Sequence, residues 1–372
     1  MDPLAHTLVG AALGETGLKR LAPSAGFVLV VAANLPDLDA VATLFGPDVS
    51  FALRRGWTHG VLAMGLLPLL LVGAVLWRDA RRGDDARLRD PRHRRRLLDL
   101  AYLGVLSHPF LDWLNTYGVR LLMPFDGTWF YGDALVVVDP WMWLLAGASA
   151  VAAHVASTRA RVAWAALGLG TSSLVWIGPG VPGWSRIAWL AGIAAIVGLC
   201  GVRPGPRALA RVAQGTLVAL ALYVAAMLGL SRAARTAAAQ WLGERESGAE
   251  VLVVNPLPAD PSRRDVVAAT SDAHLFLRVR GLSPSTLRPP VERARDAAVI
   301  RAALDAPQIA GFRGWLRVPS FEVRVAPEGY AVTIRELRYA APDGVGFGVT
   351  TVHLDRELRP LAAERVPGPY GR

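Results

Sequence analysis

Thr58-His-Gly-Val-Leu-Ala-Met-Gly-Leu-Leu-Pro-Leu-Leu-Leu-Val-Gly-Ala-Val-Leu-Trp77 carries no Asp, Glu, Lys or Arg, and an arginine-rich stretch from Arg78 to Arg96 follows it directly. A helix needs about 20 mostly apolar residues to cross the hydrocarbon core of a bilayer. The run 58–77 meets that length. Nine arginines against four acids lie in 78–96, and such loops collect on the cytoplasmic side of membrane proteins. The pair therefore reads as a membrane span ending in a cytoplasmic loop.

Working outward, further apolar runs fall at about 3–18, 23–45, 98–118, 137–157, 162–178, 187–202 and 211–230. The first and the run at 187–202 are short for a full crossing. Lys19 and Arg20, Arg159 and Arg161, and Arg203, Arg207 and Arg211 mark further turns. If each run crosses once, these turns share one side with the 78–96 loop, the cytoplasm. Everything after residue 230 is then expected outside. The fold class expected is mainly α, a polytopic transmembrane helical bundle with a small mainly β C-terminal extramembrane domain. Three regions are expected: 1–145, an additional transmembrane region at 146–235, and the β domain at 244–372. Val251–Val254, His274–Val279, Phe321–Val325, Tyr330–Leu337 and Phe347–Leu354 read as strands, from β-branched content and alternation. Pro289–Leu304 reads as one helix, and Pro367–Arg372 as a disordered tail.

Composition supports this class. The chain is 53% hydrophobic and 19% charged, against about 25% charged for soluble domains. Its net charge of +10 comes almost wholly from arginine, with Lys19 the single lysine. Because the basic residues lie between apolar runs, no nucleic-acid partner is expected; membrane lipids are. One cysteine, Cys200, permits neither an intramolecular disulfide nor a cysteine-based zinc site. No Gly-x-Ser-x-Gly elbow is present, which argues against a serine hydrolase of that class.

The chemistry lies in polar residues set in or at the edges of apolar runs: His6, Asp37 and Asp39, His59, and His108 with Asp112. An ionisable group at membrane depth is costly and marks a functional site by default. His108 and Asp112 are four apart, hence on one helical face, and Asn115 extends that face. Imidazole with carboxylate suits zinc and related divalent ions. Pro36 interrupts helical hydrogen bonding before Asp37, which frees the backbone to turn both carboxylates toward one cation. Each residue also has a structural alternative: His6 as a core histidine, His59 as an interfacial one, Asp37 and Asp39 as helix caps, His108 with Asp112 as a structural pair. Their common level near the outer leaflet favours one site. His93, in the arginine-rich loop, reads as solvated.

Residues 1–145 resemble the YdjM-like family of membrane-bound metal-dependent hydrolases. The resemblance rests on Met1-Asp2-Pro3-Leu4-Ala5-His6-Thr7, Asn34-Leu35-Pro36-Asp37-Leu38-Asp39, Arg55-Gly56-Trp57-Thr58-His59, His108-Pro-Phe-Leu-Asp112-Trp-Leu-Asn115-Thr-Tyr-Gly118 and Asp139-Pro140-Trp141. The ligand order is also similar to that of zinc-dependent phospholipase C and related single-strand nucleases. Their downstream His-x-x-x-Glu is missing, because Thr158 stands four residues after His154. This implies one or two divalent ions, zinc foremost, rather than three. The metal ligands expected are His6, Asp37, Asp39, His59, His108 and Asp112, with Asp133 or Asp139 as substitutes.

The function expected is hydrolysis of an ester or phosphoester of a lipid-like substrate by a metal-activated water. Asp37 or Asp39 would serve as base, and Arg55 or Arg54 would hold an anionic group. The location expected is a bacterial inner membrane. The alternative is a non-catalytic membrane protein, a metal transporter or a scaffold. A transporter would place its ligands near the bilayer midplane.

Overall fold

Three Asp-Pro pairs set helix starts in the computed structural model, which describes residues 1–246, 248–339 and 346–361. Asp2 caps helix α1 (Pro3–Glu15) by accepting from Ala5 N at 3.1 Å. Asp90 caps α6 (Pro91–Trp113) through Arg92 N, and Asp139 caps α7 (Pro140–His154) through Trp141 N and Met142 N. A carboxylate satisfies the orphan amides of a first turn, and proline there gives up no needed donor. The remaining helices are α2 (Ala25–Asn34), α3 (Pro47–Leu53), α4 (Val61–Arg81), α5 (Asp85–Arg89), α8 (Thr158–Ile177), α9 (Gly183–Val202) and α10 (Pro206–Gly243). After α2 the chain tightens into a 3-10 helix over Leu35–Phe45, which contains the expected Pro36 break.

Among the described residues five helical segments are long and apolar enough to cross a membrane: Ala25–Phe45, Val61–Arg81, Thr158–Ile177, Gly183–Val202 and Pro206–Gly243. Helices α1 and α7, at 13 and 15 residues, fall short of a full crossing. Helix α6 has the length, but its N-terminal turns carry the arginine run.

The chain divides into two compact units. The first comprises residues 1–38, 55–230 and 256–262. Its helices α1, α2 and α6 pack closely through small residues. A Cβ on Gly10 would come within 2.9 Å of Leu29 O, and one on Gly104 within 3.1 Å of the same oxygen. Leu29, Ala32, Leu97, Leu100 and Val105 fill a core shared with α4. The basic turns meet at one end of this unit. Arg96 donates to Leu21 O at 3.0 Å, Arg78 to Ser24 Oγ at 2.7 Å, and Arg20 to Pro206 O at 3.0 Å. His93 is buried there, 5% exposed, contrary to its solvated reading: Pro91 starts α6 early enough to draw it into helical packing.

The second unit comprises residues 39–54, 231–255 and the described part of 263–372. Strands β1 (Glu250–Leu257), β2 (Asp260–Ala269), β3 (Ala273–Arg280) and β4 (Ser283–Glu292) form a four-stranded sheet in sequence order. Strands β5 (Pro319–Ala326), β6 (Gly329–Glu336) and β7 (Val349–Asp355) form a three-stranded antiparallel sheet. Between the sheets in sequence stand α11 (Ala297–Leu304) and α12 (Ala310–Trp315). The expected helix over Pro289–Leu304 is half wrong. Its first residues belong to β4, an edge strand, where proline breaks no inner ladder. Residues 39–54 join this unit through α3: Phe312 N donates to Asp48 Oδ1 at 2.8 Å, and Phe51 stacks on Trp315 at 4.6 Å. The expected disordered tail, Pro367–Arg372, lies outside the described residues.

Candidate metal centre

Four residues reach one point in the first unit from three separate elements. His6 comes from the first turns of α1, His108 and Asp112 from the last turns of α6, and His59 from the turn before α4. That turn is fixed by His59 N donating to Gly56 O at 2.9 Å and Val61 N donating to Leu121 O at 2.9 Å. A Cβ on Gly60 would overlap the Met123 carbonyl, so the chain passes here only as glycine. Helices α1 and α6 run from opposite ends, and their site ends lie away from the basic turns.

All four side chains are 0% exposed. His59 Nε2 lies 3.1 Å from Asp112 Oδ2, and His108 Nε2 lies 3.5 Å from the same oxygen. His59 Nε2 and His108 Nε2 are 3.1 Å apart. His6 Nε2 is 3.4 Å from Asp112 Oδ1, and its ring stacks on His108 at 3.7 Å. Asp37 Oδ1 stands 3.8 Å from His108 Nε2, with its side chain 12% exposed. Two sets of potential ligand atoms result: His6, His108 and Asp112, and Asp37, His59 and His108.

The donor chemistry fits a divalent ion. His108 Nδ1–H donates to Ala33 O at 2.7 Å, which fixes the tautomer and leaves Nε2 with its lone pair. His59 Nδ1 lies 3.0 Å from Thr58 Oγ1, a hydroxyl able to accept its proton. With His59 Nδ1–H on Thr58 Oγ1, two imidazole lone pairs face each other beside a carboxylate, an arrangement that a cation satisfies. Ligands of a tetrahedral zinc with bonds of 2.0–2.1 Å sit about 3.3 Å apart, the spacing found here. Among the described residues neither ring nitrogen of His6 has a hydrogen-bond partner, and Asp112 Oδ2 accepts no hydrogen bond. Buried orphans of this kind call for an explanation.

Asp112 divides its two oxygens. Oδ1 receives Arg55 Nη2 at 3.1 Å and contacts the Met1 amino group. Oδ2 faces the histidines and is the oxygen left for an ion. Because Nδ1 of His108 is committed to Ala33, its Nε2 serves one ion only, which favours a single centre near Oδ2.

Other expected residues take different places. Asp39 joins neither ligand set and stands 3.8 Å from Arg54 Nε. Arg55 is 4% exposed, with φ of 54°, and points inward. Besides Asp112 it donates to Asn115 Oδ1 at 2.8 Å and Gly118 O at 3.3 Å. The guanidinium expected to hold a substrate anion is thus turned inward onto Asp112 and Asn115. Helix α6 stops at Trp113, so Asn115 does not extend its face. Its side-chain oxygen instead accepts from Tyr117 N and Gly118 N and builds the turn. Asp139 spends its oxygens on capping α7 and on Tyr223 Oη at 2.9 Å, and it joins no ligand set, nor does Asp133. The roles of Arg55 and Ala33 O were missed, because no spacing in the sequence announces them.

Comparison with known proteins matches the N-terminal region. Residues 1–181 fit the family described as YdjM inner membrane protein. The uncharacterized protein YfhP of Bacillus subtilis (strain 168) is 26% identical over 154 residues, 39% of this chain and 43% of YfhP. The chain therefore aligns with less than half the length of that relative. No solved structure matches.

Proposed function

Taking residues 1–181 as a region of the YdjM inner membrane protein family, we propose that the chain is a membrane-embedded metal-dependent hydrolase of lipid-like esters or phosphoesters. The observation that carries the reading is the set of His59 Nε2, His108 Nε2 and Asp112 Oδ2 within 3.1–3.5 Å of one another, fully buried, with the far nitrogen of His108 tied to a carbonyl. These three would hold a divalent ion, zinc by the chemistry of the set. His6 closes the site from the side of the stacked ring. Bound there, the ion would supply Lewis-acid activation of a water.

The rest is work for the chain itself. Asp37 is the one member of the ligand sets with solvent contact, so it marks the open side and takes the proton as general base. Arg55 and Asn115 hold Asp112 in orientation, and Ala33 O holds His108. Burial excludes bulk water, which strengthens each of these interactions. The substrate class rests on location, a site at one end of membrane-length helices.

The test is bound metal per chain in purified protein, followed by hydrolysis of a panel of lipid esters and phosphoesters with and without a chelator. Turnover lost on chelation and regained with zinc supports the reading. Asp37→Asn is expected to keep metal and lose at least about a hundredfold in turnover, as for a general base. Wild-type protein that binds no divalent ion overturns the proposal.

A further inference from the structure

A second feature of the first unit stands apart from the metal centre. Helices α7, α8 and α9 line a partly open cavity of about 960 Å³. Its walls are apolar, with Trp143, Val151, Trp164, Leu169, Ile193 and Ile196 among the lining residues. Only Arg161 and Arg203 are charged there, and no acid lines it. Arg161 lies at the start of α8 and Arg203 caps the end of α9, so both stand at one mouth. Both are exposed, and among the described residues neither makes an ion pair; the Arg161 guanidinium donates to Thr158 Oγ1 at 3.0 Å.

The hydroxyls of the interior are engaged within the protein. At the deep end Thr171 Oγ1 donates to Leu167 O at 2.9 Å, and Ser172 Oγ accepts from Trp189 Nε1 at 2.9 Å. From Arg161 to Thr171 the helix rises about 15 Å, half of the roughly 30 Å hydrocarbon core. The cavity is thus one leaflet deep, with guanidiniums where headgroups lie. Guanidinium forks match phosphate oxygens, and apolar walls with few polar anchors are the usual form of a small-molecule site.

We propose that this cavity binds one anionic phospholipid from the leaflet on the arginine side, its acyl chain between α7, α8 and α9 and its phosphate on Arg161 and Arg203. Leu4 and Leu8 of α1 form part of the wall. His6 lies two residues from each, about 200° around the helix, so the lipid and the metal centre use opposite faces of α1. The site does not depend on any hydrolytic role of that centre.

The test uses the full chain in nanodiscs of equal phosphatidylglycerol and phosphatidylcholine. After transfer to detergent, retained lipids are counted by native mass spectrometry. Wild type is expected to keep one phospholipid, phosphatidylglycerol over phosphatidylcholine by roughly tenfold, as two guanidiniums near a headgroup supply. Arg161→Gln with Arg203→Gln is expected to lose that preference. Gly168 lines the cavity with nothing within 4 Å of a Cβ, so Gly168→Phe is expected to fill it and retain no lipid. Excess inorganic phosphate is expected to leave the lipid in place, and its displacement would assign the arginines to a free anion. The proposal is overturned if wild type shows no headgroup preference or the double arginine variant keeps it. These arginines lie exposed at the mouth, so the double variant decides the matter even if Gly168→Phe fails to fold.

Discussion

Asp112 decides the chemistry because both of its oxygens are buried and each faces a different partner. If it binds an ion with His108, His108→Ala and Asp112→Ala are each expected to cut bound metal to less than about a tenth of wild type. Stability of the metal-free protein would change little for His108→Ala beyond its lost packing, since metal stabilises only where it is bound. A structural pair predicts the reverse: metal content unchanged, and an orphaned partner costing about 1–3 kcal/mol. Arg55→Lys tests the support of the site. Lysine keeps the charge but cannot span Asp112 and Asn115 as a fork, so metal affinity is expected to fall about 10–100-fold, read by competition with a chromophoric chelator. Wild-type affinity in Arg55→Lys would sink its positioning role. The clustering of His6, His59, His108 and Asp112 was legible in the sequence because ionisable side chains interrupt apolar runs. Asp37 and Asp39 were not separable, since two acids two residues apart differ only in which way a 3-10 turn points them. Arg55 was misread because its inward turn depends on a left-handed backbone that no periodicity signals.

Elements place those residues through close packing, and glycine sets the tolerance. Gly60→Ala puts a methyl onto the Met123 carbonyl just ahead of α4. Its expected cost is roughly 1–3 kcal/mol, with weaker metal binding because His59 sits next to it. Gly65→Ala, five residues on with open space around it, is the control and is expected to be neutral or slightly stabilising. Thermal unfolding of both variants checks the contrast; equal melting would show that the turn adjusts freely. In the second unit Glu322 on β5 accepts from Arg335 at 2.8 Å and Arg324 at 2.6 Å, and the two guanidiniums hold its carboxyl below the usual range. A lowered folded pKa contributes stability above the unfolded value near 4.3, and that stability is lost as pH falls through the folded value. Glu322→Gln is therefore expected to flatten acid destabilisation below about pH 4.3, by less than about 1 kcal/mol because the pair is partly exposed. An unchanged acid profile would remove the pair from the account. Strands with β-branched runs were readable at this scale. Strand β2, rich in Arg and Asp, and β4, with three prolines, were not, because cross-strand partners rather than local propensity hold them.

At the scale of the whole molecule the open question is which side of the membrane each end faces. The basic turns at 16–24, 78–96 and 203–206 meet at one end of the first unit through Arg96, Arg78 and Arg20. The sequence anticipated their common side from charge alone, and hydrogen bonds between distant turns now carry it. The positive-inside rule assigns that end to the cytoplasm. Helix α10 starts there at Pro206 and runs 38 residues, about 57 Å at 1.5 Å per residue. That is nearly twice the hydrocarbon thickness of about 30 Å, long enough to cross with turns to spare before β1. The C-terminal sheets are then expected outside. A reporter that works only in the cytoplasm is expected to be silent when fused after Leu361 and active when inserted at Gly83, between α4 and α5. A reporter that needs an oxidising exterior should give the mirror result. Activity of the cytoplasmic reporter at the C-terminus would invert the topology, and with it the leaflet assigned to both the metal centre and the arginine-mouthed cavity.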